Sequence, residues 1–316
     1  MSTVLTFSKV PPAARLQLHK MSIVASYNAE SLRPYSELPD ITDPAWDPDP
    51  LVVVRQGAEG QHLVALGLAH RTDRGNRHYR TLTEYAADFM TVTTEDKRVI
   101  INEGGVWPIG DSLDVAYAAG GEAMWLQTYG KATNTPVVSP ELPNDGADLM
   151  LAEGFTKEEI ACFYFVRQVP QFGRITLQKK SFEEYIQDVM TRKADKLGWD
   201  FDFSLPKLIA TYEDMYGKRF DRAETRFFYE QSVGYMLEPT TRIQKASIVC
   251  NMGRDINLLH TQQEYFNQGI SSLTGFGWSH VYALQPRIEQ MGTHGESSLV
   301  VARNLGSLAM NQHRLP

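Results

Sequence analysis

Two short apolar runs that stop at glycine, with a helix between them, constrain this chain more than any other feature. HLVALGLAH (62–70) and KRVIINEGG (97–105) are rich in aliphatic and β-branched residues, and each ends abruptly. Between them, TLTEYAADFMTV (81–92) has helical spacing, with Leu82, Tyr85, Ala86 and Phe89 on one face. Thr81 or Thr83 is available to cap that helix. Strand, helix, strand in this order is a βαβ unit, whose two strands run parallel and normally lie side by side.

The rest of the chain extends this α/β reading. LVVVR (51–55) precedes the first run across the turn-like QGAEGQ, which predicts a hairpin or two neighbouring strands. Asp111 can cap a further helix over 112–133, and TPVVSPELP (135–143) reads as a third parallel strand. Four successive segments between 156 and 237 have helical periodicity, and Ser181 with Glu184 forms a capping-box pattern. A long helical stretch (242–269) and a strand that breaks at glycine (270–284) follow. The reading is a mainly parallel sheet core flanked by helices, with a helical insertion. Its parts are an irregular proline-rich arm (1–50), a first half of the core (51–155), the helical insert (156–238), and a second half with a tail (239–316).

Bulk properties narrow the function. A chain of 316 residues with 42% hydrophobic residues can bury a full core without staples. The formal charge of -7 argues against nucleic acid or an anionic membrane as the main partner. The two cysteines, Cys162 and Cys250, stand in apolar surroundings and read as buried reduced thiols. With no secretory h-region and no apolar run of spanning length, the expected location is the cytoplasm.

The chemistry-bearing pattern is a repeated Gly-x-x-His. Gly67-x-x-His70 and Gly277-x-x-His280 both close apolar runs, so that each histidine overhangs the carboxyl edge of the sheet, where ligands bind. Glu103, before Gly104 and Gly105, has the same placement. By the βαβ rule His70 and Glu103 should face each other from neighbouring strand ends. A carboxylate and imidazoles so placed form an acid/base set or ligands for a divalent metal. Arg254, beside Asp255 and near a helix start, could stabilise an oxyanion or orient the carboxylate. Glu122 and Glu141 are further candidate acids, with rival readings as a helix-face acid and a loop acid; the other six histidines read as ordinary core or surface groups. Since a cleft histidine supports few packing contacts, replacing His280 is expected to cost little stability. There is no Gly-x-Ser-x-Gly elbow, HExxH or Walker A pattern.

GLAH (67–70), NEGG (102–105), GGEAMWLQ (120–127), NMGRD (251–255) and GWSH (277–280) resemble the superfamily that joins TIKI proteases, TraB-like proteins, ChaN haem-binding lipoproteins and erythromycin esterases. The resemblance implies paired Gly-x-x-His motifs and an acid converging in one cleft. His70 and His280 match the motif histidines, Glu103 the strand-end glutamate, and Arg254 the arginine before the last core strand. It implies a hydrolase of small-molecule or peptide substrates, either esterase-like without metal or peptidase-like with manganese, cobalt or zinc on His70, Glu103 and His280. The alternative on the same fold is a non-catalytic protein that binds a haem-like ligand or a partner.

Overall fold

The computed structural model describes residues 47–174, 180–232 and 239–291. Most of the N-terminal arm and nearly all of the C-terminal tail lie outside the described residues. The described residues fall into two compact units: one takes in 48–140 and 255–291, the other, apart from Asp47, lies within 141–254. Among the described residues no helix is long and apolar enough to cross a membrane.

The first unit is an α/β sandwich. Among the described residues its five strands are β1 (Leu51–Gln56), β2 (His62–Leu68), β3 (Arg98–Asn102), β4 (Val137–Val138) and β5 (Ser271–Gly277), in the order β1-β2-β5-β3-β4. β1 and β2 form an antiparallel hairpin, closed by the Gly57 N–H on the Gln61 carbonyl at 2.8 Å, with Gly60 at φ +81°. All other pairings are parallel. Strand alternation sorts the core into two faces. Val64, Leu66, Leu68, Ile100 and Leu273 pack under α1 (Arg77–Val92) and α2 (Leu113–Ala132). Leu63, Ala65, Val99, Ile101 and Phe276 pack under Leu258, Leu259 and Phe266 of α8 (Arg242–Asn267) and under α9 (Trp278–Gln290).

The position of β5 corrects the expectation that β2 and β3 adjoin. The last strand among the described residues inserts between them and pairs with both. Its composition explains why it holds the centre. All seven residues are buried, and Ser272, Thr274 and Gly275 are small enough for helices to close on both faces. The Gly275 backbone lies against the Leu126 side chain, and Thr274 accepts from Gln262 Nε2 at 3.0 Å.

Two caps also differ from expectation. Asn76, not Thr81 or Thr83, caps α1, accepting from the Tyr79 N–H, so the helix begins a turn earlier. Ser112, one residue past Asp111, caps α2. α2 is broken at Gly120 and Gly121; Gly121 sits at φ +63°, ψ -152°, a conformation open essentially to glycine alone.

The second unit is helical. It holds α3 (Ala147–Ala152), α4 (Lys157–Arg174), α5 (Phe182–Leu197), α6 (Leu205–Tyr216), α7 (Thr225–Ser232) and the first half of α8. The Ser181/Glu184 capping box starts α5, and left-handed Gly198 and Gly217 end α5 and α6. Phe163, Phe165, Ile186, Met190, Tyr212 and Phe228 are among the buried side chains of its core. Cys162 and Cys250 are buried free thiols in it, and burial pushes the Cys162 thiol up to about 12.

Candidate functional site

The strand order that separates β2 from β3 also builds the site. Register pairs Leu68 with Gly277 and Asn102 with Gly275, so the chain leaves β2 and β3 on either side of the β5 end. His70 comes off β2, Glu103 off β3, and His280 stands in the first turn of α9, three residues past Gly277. The Gly277 N–H donates to Glu103 Oε2 at 2.6 Å, which fixes the carboxylate against the central strand.

Both imidazoles then approach that carboxylate through the same atom. His70 Nε2 lies 3.8 Å from Glu103 Oε2, and His280 Nε2 lies 3.9 Å from Glu103 Oε1. A β-carbon placed on Gly277 would meet His70 Nε2 at 3.0 Å, His280 Cδ2 at 3.3 Å and Glu103 Oε2 at 3.4 Å, so all three groups border one small space. His70 and Glu103 thus share one edge of the sheet but are not on neighbouring strands; β5 brings the second histidine between them.

The other ring nitrogens meet carboxylates. Glu122 bonds His70 Nδ1, and Asp255 bonds His280 Nδ1. Glu122 follows the Gly120–Gly121 break directly, and a β-carbon on Gly121 would stand 3.2 Å from the Arg71 carbonyl. The break therefore lets α2 pass close to the backbone beside His70. Asp255 is in the middle of α8 rather than near a helix start, and is wholly buried.

The two histidines differ in setting. The His70 side chain is 52% exposed, and its backbone holds φ +41°, a left-handed conformation that carries strain in a non-glycine residue. The His280 side chain is 6% exposed and edge-on to Phe276 at 5.8 Å. It is a buried partner of a buried carboxylate, and that burial argues against the expectation that replacing it costs little stability. Losing the imidazole would take from buried Asp255 its bond to Nδ1.

Arg254 belongs to the helical unit, where its guanidinium forks Glu141 through Nε at 2.9 Å and Nη2 at 2.8 Å. Both side chains were candidates from the sequence, and the structure pairs them with each other. Glu122 carried little weight in the sequence and Asp255 none as a partner for histidine. The signal for Glu122 was the double glycine before it; nothing local marks Asp255.

Two imidazole nitrogens and a carboxylate are donor types suited to manganese, cobalt or zinc. Yet among the described residues no group of three His, Cys, Asp or Glu side chains has the spacing of a metal site. A cavity of about 400 Å³ in the helical unit, lined by Glu158, Lys207, Thr211 and Asp214 among others, contains none of these site residues. Compared with family models, curated proteins and solved structures, the chain matches none.

Proposed function

We propose that this chain is a hydrolase that activates water in the space bounded by His70 Nε2, Glu103 and His280 Nε2. The observation that carries the reading is the approach of two imidazoles to the two oxygens of one carboxylate, at 3.8 and 3.9 Å. These separations are too long for direct hydrogen bonds and suit a small molecule bound among the three groups. A water held there gives a proton to an imidazole as it attacks a carbonyl carbon, and the imidazolium returns that proton to the leaving group. His70, being half exposed, is the imidazole a substrate meets first.

The substrate class is a small ester or peptide. Supporting an apolar acyl or alcohol part, the loop after Glu103 carries Val106 at 92% and Ile109 at 51% exposure. The resemblance of the short motifs to the TIKI, TraB, ChaN and erythromycin esterase superfamily supports the same reaction class. Buried free thiols agree with a cytoplasmic location. Among the described residues no three such side chains have the spacing of a metal site, and the step is written for water alone. Arg254, forked by Glu141, carries no step either.

The test is elemental analysis of the purified chain, followed by a panel of short-chain nitrophenyl esters and peptides, each with chelator or with added manganese, cobalt or zinc. The expected result is chelator-resistant turnover that falls about 10²–10⁴-fold in His280→Gln, a change that keeps a polar group beside Asp255. Turnover that demands a metal would instead make His70, Glu103 and His280 its ligands. Absence of turnover by the folded protein on every substrate would return the site to ligand binding without catalysis.

A further inference from the structure

We infer that Glu122 and Asp255 are positioning residues, each holding one site imidazole in the tautomer that leaves Nε2 bare and turned toward Glu103. The inference rests on the reading of His70, Glu103 and His280 as a water-activating site, and concerns groups that reading does not use.

A carboxylate has acceptors but no proton to give. An Nδ1 bonded to one is therefore the N–H of its ring, and the lone pair of the neutral imidazole is left on Nε2. Both Nδ1 atoms are in this position, one against Glu122 and the other against Asp255. Neither acid can turn to solvent instead, since the Glu122 side chain is 3% exposed and that of Asp255 0%. Burying a carboxylate is unfavourable unless it is paired, and each of these is bonded to its ring.

The consequence is three acceptor groups side by side. The two Nε2 lone pairs and the Glu103 carboxylate border one space, and the carboxylate is already anchored by the Gly277 N–H at 2.6 Å. Such a set is satisfied by a molecule that brings protons, and water brings two. Without Glu122 or Asp255, each ring is free to carry its proton on Nε2, which removes the base. The same device is built twice from unrelated elements: the α2 segment after the glycine break holds His70, and mid-helix α8 holds His280.

The experiment is nitrogen-15 NMR of the full chain with labelled histidine, taken to a pH at which the rings are neutral, on wild type, Glu122→Ala and Asp255→Ala. In the wild type both His70 and His280 should show a pyrrole-type Nδ1 and a pyridine-type Nε2. Each alanine variant should move only its own histidine toward the Nε2–H form. The inference is overturned by a wild-type His70 or His280 with its proton on Nε2, or by a ring that keeps the Nδ1–H form after its carboxylate is removed. Should Asp255→Ala fail to fold, the wild-type spectrum and Glu122→Ala still decide. Tautomer shifts need no turnover, so a protein that hydrolyses nothing while showing both Nδ1–H rings defeats the hydrolase reading and leaves this one standing.

Discussion

Gly277→Ala separates the site from the fold more cleanly than removal of any reacting group. The backbone at Gly277 is φ -51°, ψ 140°, which alanine adopts without strain. The added methyl even restricts the unfolded chain, a gain of about 0.4–1 kcal/mol. What opposes it is local: the new carbon stands 3.0 Å from His70 Nε2 and 3.3 Å from His280 Cδ2, against an ordinary separation of about 3.5–4.0 Å. Half-exposed His70 can swing outward by roughly that difference, whereas His280 is held by Asp255 and Glu103 by the amide of residue 277. The two terms nearly cancel, and the melting temperature should move by no more than about 2–4 °C. Turnover should not survive so well. Displacing an attacking group by about 1 Å is enough for a 10²-fold loss, and the methyl fills the space assigned to water. The assay is kcat/KM on the best ester of the panel, beside calorimetric melting. An alanine variant that hydrolyses as fast as the wild type would show that the three groups do not work on one molecule in that space.

Other perturbations test the supports. Gly121→Ala forces alanine into φ +63°, ψ -152° against the Arg71 carbonyl, and should destabilise by about 1–3 kcal/mol in denaturant melts; an unchanged midpoint would mean that α2 does not need its break. Arg254→Ala leaves half-buried Glu141 without its fork and should cost about 1–3 kcal/mol, with little recovered by Arg254→Lys; lost turnover at an unchanged melting point would instead give the guanidinium a part in the reaction. Burial pushes the Cys162 thiol up from 9.0 and the Tyr85 phenol up from 10.0, each to about 12. Both are neutral in the folded chain where the unfolded chain has ionised, so their contribution is whole below pH 9 and is lost between about pH 9 and 12. Melting across that range should steepen downward, and Cys162→Ala should flatten the slope; equal slopes would refute the assignment.

The sequence carried the fold class and the sheet edge at which His70, Glu103 and His280 meet, because both rest on local signals. An apolar run that ends at glycine reads the same wherever it pairs, so Gly67-x-x-His70, Glu103-Gly104 and Gly277-x-x-His280 all pointed to one strand end. Strand order was not local. The adjacency rule put β3 beside β2, and only the small, wholly buried residues of β5 explain why that late strand takes the centre. The supporting carboxylates show the same limit. Glu122 at least followed a double glycine, whereas Asp255 reaches His280 from within an unbroken 26-residue helix, where its neighbours in sequence say nothing of its neighbour in space. The Gly-x-x-His pattern singled out His280, but its burial was not legible, since burial depends on the helix it opens.

The central place of β5 also governs the order in which the molecule can come together during synthesis. The β1–β2 hairpin and the β3–β4 pair emerge early, yet neither can join the other until residue 271 and those after it have left the ribosome. Until then the inner edges of β2 and β3 expose unpaired backbone and apolar side chains, the condition in which strands associate between chains. The more than 130 residues between β4 and β5, most of them in the helical unit, come out in that interval. A ribosome-stalled chain ending before Ser271 should therefore be protease-sensitive in 62–102 and depend on chaperones, and gain protection there in a single step once Gly277 has emerged.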